Sequence, residues 1–163
     1  MADFAACGNR LVRLSGSQNI ERAARFELHE PAGPVEKPEL KMWLAVRTDL
    51  ELSRGKLAVQ AMHAAGWLHL IVAQDRPDLM REYIDSATPK VAVGVGSAAA
   101  LDRAEREAKA AGIPCFAVAD AGRTEIASGT RTVCMFGPAY RDDLPEYLRR
   151  LRLLTSQREV TQR

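Results

Sequence analysis

The sequence predicts an α/β fold in which helices cover both faces of a single sheet. Four short apolar runs with strand-like composition alternate with helix-forming stretches, in the order β-α-α-β-α-β-β-α. This order is typical of a sheet packed between helices. The chain has 163 residues, of which 47% are hydrophobic and 27% charged. It is therefore long enough to bury one core and too apolar for a disordered protein.

Composition narrows the classes of function without choosing one. The formal net charge is only +2, a mild basic bias that is compatible with a nucleic-acid partner but does not require one. Cys7, Cys115 and Cys134 form no CxxC pair and have no zinc-type spacing to a histidine, so we predict reduced thiols and no metal. No apolar run approaches the roughly 18 residues of a membrane span, and the first residues lack the order of a signal peptide. We therefore expect a cytoplasmic protein without membrane contact.

The chain divides into three segments. Residues 1–40 hold scattered apolar residues and then a stretch with Pro31, Gly33, Pro34 and Pro38, which predicts an N-terminal extension with a proline-rich linker. Residues 41–154 form the predicted domain. Residues 155–163 are predicted to be a C-terminal tail.

Periodicity and capping residues define the elements of this domain. Ser53 fits a helix N-cap, and the helix-forming residues after it continue to about Ala73. This long helix is apolar nearly all round, so we expect it to be buried. A last amphipathic helix is predicted over residues 142–154. Its expected inner face comprises Leu144, Tyr147, Leu148, Leu151 and Leu154. The other predicted elements are strands over residues 42–46, 89–95, 114–119 and 132–137 and helices over residues 75–86 and 97–111.

Three polar residues interrupt the apolar surface of the long helix. Lys56, Gln60 and His63 have the spacing i, i+4, i+7, which places them within about 60° of one another around a helix. A polar stripe on a buried helix faces either a functional site or solvent. The residues alone leave both interpretations open.

The loop between the third and fourth strands is the best candidate for a functional segment. Residues 120–133 read DAGRTEIASGTRTV, with two glycines, two arginines, two carboxylates and several hydroxyl groups. This composition is too polar for a core, and the segment is too long for a minimal hairpin turn. Because functional residues concentrate on loops that a rigid scaffold positions, we predict that this loop carries the chemistry.

A second motif suggests a dinucleotide-binding turn. Gly94, Gly96 and Ala99 fit G-x-G-x-x-A between a strand and a helix, and Asp120 ends the next strand. However, Gly94 falls inside the predicted strand, and Ser97 supplies a simple N-cap. We therefore disfavour a cofactor and attribute Gly96 to close helix packing.

Two segments together resemble the type II peptidyl-tRNA hydrolases. They are KMWLAVRTDLELSRGKLAVQAMHAAG, which starts at Lys41, and DAGRTEIASGTRTV, which starts at Asp120. The resemblance covers roughly residues 41–154. It implies a three-layer α/β/α sandwich with a mixed four-stranded sheet, a homodimer, and no metal or other cofactor. It also implies a peptidyl-tRNA substrate, cleaved at the ester that joins the peptide to the 3′ end of tRNA.

The resemblance also implies roles for individual residues. Asp120 would orient or deprotonate the attacking water, and Lys56 would place positive charge near the oxyanion or a phosphate. The implied catalytic residues are Lys56, Asp120, Thr124 and Thr132, and the implied substrate-binding residues are Gln60, His63, Gly122 and Arg123. The structural alternatives are an Asx turn made by Asp120, backbone bonding by the threonines and an ordinary turn glycine at position 122. Further candidates for contact with the tRNA backbone are Lys41, Arg47, Arg54 and Arg131.

Three positions depart from the family pattern. Glu125 stands where glutamine is usual, Ser128 where proline is usual, and Thr48 where asparagine is common. Glu125 puts negative charge near a site that would receive phosphates. The sequence therefore leaves two alternatives beside the hydrolase. One is a non-catalytic relative that binds tRNA, the ribosome or a protein partner, and the other is hydrolysis of a different ester or amide.

Overall fold

A computed structural model of the protein describes residues 39–122 and 126–155. Residues 1–38, which make up nearly all of the predicted N-terminal extension, and residues 156–163 lie outside the described part. The helices are α1 (Arg54–Asp75), α2 (Pro77–Asp85), α3 (Ala98–Ala110) and α4 (Glu146–Arg149), with one 3-10 turn at Arg141–Asp143. The strands are β1 (Lys41–Arg47), β2 (Lys90–Val95), β3 (Cys115–Ala119), β4 (Arg131–Ala139) and β5 (Arg152–Leu153).

The strands form one mixed sheet in the order β3-β4-β1-β2-β5. β1 runs parallel to β2, and the other pairs are antiparallel. The prediction of an α/β fold with a mixed sheet is confirmed, but the sheet has five strands and not four. The additional strand is the two-residue β5, which pairs with Val93 and Gly94 at the edge of β2.

Both faces of the sheet are buried. Along β1, Trp43 and Ala45 belong to one core cluster, and Met42, Leu44 and Val46 belong to the other. This alternation follows from the two-residue period of a strand, and the continuous apolar sequence of β1 is typical of a strand covered on both sides. The first cluster includes buried residues of α3, and the second includes those of α1 and α2.

The predicted last helix over residues 142–154 is wrong. Pro145, which has no backbone N–H, precedes α4, and α4 ends at Arg149 after a single turn. The chain then extends so that the N–H of Leu154 donates to the carbonyl of Ala92 at 2.9 Å. Leu144 and Leu148 are buried as expected. Leu154, by contrast, packs against the opposite core cluster.

The prediction that the long, mostly apolar helix is buried is correct for one of its faces only. Ser53 caps α1 as expected, because its side chain accepts a hydrogen bond from the N–H of Lys56. One face of α1 packs into the core, but the opposite face is open to solvent. Met62 and Leu70 are each 64% exposed and Trp67 is 48% exposed. Of these three side chains, Trp67 packs one side of its ring on Phe116 of β3.

The two glycines of the disfavoured dinucleotide motif have different environments. Ser97 caps α3 as expected, since its side chain accepts from the N–H of Ala100. Gly94 lies within β2, where an added Cβ would meet the methyl group of Thr48 at 3.0 Å. An added Cβ at Gly96 would meet nothing within 4 Å. Close packing therefore explains Gly94, and the attribution of Gly96 to helix packing is wrong.

Candidate active site

The loop after β3 is closed at its base by backbone hydrogen bonds. The N–H of Asp120 donates to the carbonyl of Thr130 at 2.8 Å, and the N–H of Gly129 donates back to the carbonyl of Asp120 at 2.7 Å. Gly122 has φ +72°, and an added Cβ would lie 2.5 Å from the backbone nitrogen of Ser128. Glycine at position 122 is therefore required by both its backbone conformation and the close approach of the two arms of the loop.

Asp120 is the centre of the site. Its side chain is buried, and the residue is only 4% exposed. Oδ2 forms an ion pair with Nζ of Lys56 and accepts a hydrogen bond from Nε2 of Gln60 at 2.7 Å. Oδ1 accepts from the backbone N–H of Gly122 at 2.7 Å. A buried carboxylate with these partners is fixed in position and stays charged.

The partners of Asp120 hold its pKa below the ordinary range of an aspartate. The hydrogen bond from Lys56 makes the largest contribution, the N–H of Gly122 and the side chain of Gln60 act in the same direction, and burial opposes them by raising the pKa. The outcome is a carboxylate that is ionised at neutral pH. It is therefore better suited to orienting water and balancing charge than to holding a proton.

Thr132 extends this network into the core. Its hydroxyl contacts Oε1 of Gln60 at 3.0 Å and the carbonyl of Val118 at 3.3 Å, and both of these oxygens are acceptors. The amide of Gln60 therefore accepts from Thr132 at one end and donates to Asp120 at the other. This arrangement fixes the orientation of the amide, because a flipped amide would place its NH₂ against Thr132 and its oxygen against the carboxylate.

The two oxygens of Asp120 make different contacts, so the carboxylate can form a structural turn and also face Lys56 and Gln60. The Asx turn considered for Asp120 is present, and it occupies Oδ1, whereas Oδ2 contacts Lys56 and Gln60. Lys56 and Gln60 are not a solvated strip. His63, which has the same helical spacing, is exposed and contacts none of these groups in the described structure. Arg123, Thr124 and Glu125 lie outside the described residues.

Comparison with known proteins places this geometry in a family. The model of the family described as Peptidyl-tRNA hydrolase PTH2 matches residues 40–154. The chain belongs to this family. The match takes in all five described strands and every residue of the Asp120 network.

Individual relatives agree with the family match. The chain is 36% identical over 118 residues to the protein named peptidyl-tRNA hydrolase 2, mitochondrial, of Bos taurus, covering 72% of this chain and 66% of that one. It is 37% identical over 100 residues to a probable peptidyl-tRNA hydrolase 2 of Schizosaccharomyces pombe, covering 61% and 49%. A peptidyl-tRNA hydrolase of Halobacterium salinarum is 38% identical over 109 residues, covering 66% of this chain and 93% of that one. The chain thus spans about two thirds of the first of these relatives and just under half of the second.

Ion pairs decide which of the basic candidates for phosphate contact are available. Arg47 makes two hydrogen bonds to the carboxylate of Asp49, at 3.0 and 2.6 Å. Arg131 forms ion pairs with Asp102 and Glu105 of α3. These partners neutralise both guanidinium groups, which disfavours them as phosphate ligands. No sequence signal could have identified Asp102 and Glu105, because they are brought to Arg131 by tertiary packing alone.

Two further features of the described ranges concern metal ions and membranes. Within residues 39–122 and 126–155, no three His, Cys, Asp or Glu side chains are grouped as a metal ion would need. No helix in the same ranges is long and apolar enough to cross a membrane.

Proposed function

We propose that this chain hydrolyses the ester between a peptide, or an N-blocked amino acid, and the 3′ end of tRNA. The observation that supports this function best is the buried Asp120 carboxylate, held between Lys56 and Gln60 at the base of a polar loop. Ester hydrolysis requires an oriented water and a stabilised oxyanion. The fixed negative charge of Asp120 can orient the water, and the positive charge of Lys56 can stabilise the oxyanion.

In the proposed reaction Asp120 and Lys56 contact the reacting groups. The carboxylate of Asp120 orients the attacking water, and Nζ of Lys56 stabilises the negative charge that develops on the carbonyl oxygen. As the new C–O bond forms, the bond to the ribose 3′ oxygen breaks, and the proton of the water passes to that leaving oxygen. Gln60 and Thr132 are buried and bonded to one another, so their placement supports positioning of Asp120 over direct contact with substrate. Because Gly122 has no side chain, the backbone of the loop can approach the substrate closely.

The remaining substrate contacts involve the loop and the exposed helix face. We assign Arg123 to a phosphate of the tRNA acceptor end and Thr124 to the ester carbonyl, as the resemblance implies. His63, exposed beyond Gln60 on α1, would contact the substrate outside the reacting bond. No metal or other cofactor takes part in the proposed reaction.

The cellular setting is proposed on the same basis. The chain would act on peptidyl-tRNA in the cytoplasm as a homodimer, with residues 41–154 as the catalytic domain and residues 1–40 as an extension. The exposed apolar side chains of Val59, Met62 and Leu70 on α1 support self-association, because large exposed apolar patches commonly mark interfaces.

The direct test measures release of N-acetyl-amino acid from N-acetyl-aminoacyl-tRNA by the purified protein, with a chelator present. We expect multiple turnovers that the chelator does not reduce. The control substrate is a tRNA charged with the same amino acid linked through a non-hydrolysable amide, which should bind and give no product. Failure to release product from the ester, in a protein that still binds the amide-linked tRNA, would favour the non-catalytic alternative.

The lowered pKa of Asp120 predicts the acid side of the pH profile. Because the ionised carboxylate is the active form, kcat/KM should be flat from neutral pH downward and should fall only below about pH 4. The same sign applies to folding: the carboxylate stabilises the native state above its unfolded pKa, and this contribution is lost as pH falls through the lower folded pKa. A descending limb of kcat/KM between about pH 6 and 7 would instead indicate a histidine or a carboxyl group with a raised pKa.

A further inference from the structure

β3 leaves one edge of the sheet open beside the candidate active site. It is the terminal strand of the sheet, and within the described residues it pairs only with β4. Its sequence, CFAVA, contains no charge and no proline. Natural edge strands are commonly protected by such residues, so a short apolar edge without them is a surface ready for strand pairing. This edge leads directly into Asp120.

The hydrogen-bond register identifies which backbone groups face outward. The N–H of Gly137 donates to the carbonyl of Pro114 at 2.9 Å, so Pro114 faces β4. In an antiparallel ladder the direction alternates, so the N–H and C=O groups of Phe116 and Val118 also face β4. Those of Cys115 and Ala117 therefore point away from the sheet.

An apolar wall lies beside this edge. The ring of Trp67 stacks on Phe116 with centroids 6.0 Å apart, and Trp67 remains 48% exposed. Residues 57–73 of α1 contain no Asp, Glu, Lys or Arg. This stretch of α1 therefore offers no cation to the phosphates of tRNA, whereas Arg76 and Lys109 lie near the Cys115 end of the edge. The stretch suits an uncharged, extended ligand.

We propose that the peptide part of the substrate binds as an added strand along the outer edge of β3, with its ester at Asp120 and Lys56. This inference rests on the proposed hydrolase function and names the site for the peptide. The ester is at the C-terminal end of the peptide, and Asp120 is at the C-terminal end of β3. The peptide therefore runs parallel to β3, with its N-terminal side towards Cys115.

Strand addition would let one site accept peptides of different sequence. Every second amide of the peptide would pair with the outward groups of Cys115 and Ala117, and these bonds do not depend on the side chains. The five residues of β3 span about 13 Å between their first and last Cα atoms. The edge therefore accommodates about four peptide residues, and the side chains directed to the α1 face would contact Trp67.

The test uses wild-type protein and a series of peptidyl-tRNA substrates. N-acetyl-tetrapeptidyl-tRNA should have a kcat/KM about tenfold higher than N-acetyl-aminoacyl-tRNA with the same C-terminal residue. N-methylation of a peptide nitrogen that faces β3 should reduce this kcat/KM advantage about fivefold, whereas N-methylation of the neighbouring nitrogen should leave it unchanged. Equal values for both lengths, or no alternation along the peptide, would overturn strand addition while leaving the hydrolase function intact. No cleavage of any substrate would overturn both.

A protein variant tests the same edge from the other side. Ala117→Pro removes the outward N–H of β3 without removing a bond to β4, which is the kind of edge position where proline is tolerated. It should reduce the tetrapeptide advantage about fivefold. Leu153→Ser, at the opposite edge of the sheet and 66% exposed in the wild type, is the matched control and should leave the advantage unchanged. If Ala117→Pro instead converts a dimer to a monomer in sedimentation and keeps the advantage, the edge binds a second copy and the proposal is overturned.

Discussion

Replacing Asp120 with asparagine is expected to lower kcat on N-acetyl-aminoacyl-tRNA by about 10²-fold or more. Asparagine keeps the size of the side chain and removes its charge, so the attacking water loses the group that orients it. The ion pair between Lys56 and Asp120 is also lost. The measurement is single-turnover hydrolysis at saturating enzyme, which separates the chemical step from tRNA binding.

The fold should survive this substitution, because the network can reorganise. If the amide of Gln60 rotates, its oxygen accepts from the new NH₂ group and its own NH₂ donates to Thr132, whose hydroxyl still reaches the carbonyl of Val118. The ammonium group of Lys56, whose side chain is 14% exposed, then turns from the new NH₂ group towards solvent. The matched control is Asp49→Asn, which removes a surface carboxylate paired with Arg47 and should change kcat less than about twofold. A cooperative thermal transition with wild-type kcat in Asp120→Asn would remove Asp120 from the chemistry.

Replacing Gly122 with alanine is expected to lower kcat/KM by about 10²-fold. The new Cβ would lie 2.5 Å from the backbone nitrogen of Ser128 and 2.6 Å from its Cα. Both are backbone atoms, so the two arms of the loop must separate to relieve the clash. The N–H of Gly122 would then lose its bond to Oδ1 of Asp120, and the pKa of Asp120 would move up towards its ordinary value. The acid limb of kcat/KM should therefore shift to higher pH.

Gly129→Ala provides the control in the same loop. Gly129 also has positive φ, at +80°, but an added Cβ there would meet nothing within 4 Å. This variant should show only the backbone strain of a left-handed residue, about 1 kcal/mol, with activity within a few-fold of wild type. Equal loss of activity in the two variants would mean that backbone strain, and not the contact with Ser128, explains the effect at Gly122.

Local patterns in the sequence predicted much of the fold. In the Asp120 network, they predicted that Lys56 and Gln60 lie together. The i, i+4 spacing of Lys56 and Gln60 placed both on one helix face because an α-helix advances about 100° per residue. The cap residues Ser53 and Ser97 marked the starts of α1 and α3 because their side chains satisfy free N–H groups locally. The predicted helix after Asp142, which was based on the spacing of leucines, was wrong. There, Pro145 and the open edge of β2 decided the outcome.

The family, the order of the main elements and the residue types of the site follow from local patterns in the chain, because each depends on neighbours within a turn or a strand. Which side chains meet depends on tertiary packing. Gln60 is 60 residues from Asp120 and 72 from Thr132, and no local period encodes such a pairing. Tertiary packing also brings Asp102 and Glu105 of α3 to Arg131. Among the described residues it leaves the outer edge of β3, which leads into Asp120, without a partner strand. The order of strands in a sheet is set by packing across the whole domain, and for that reason it could not be read from any single segment.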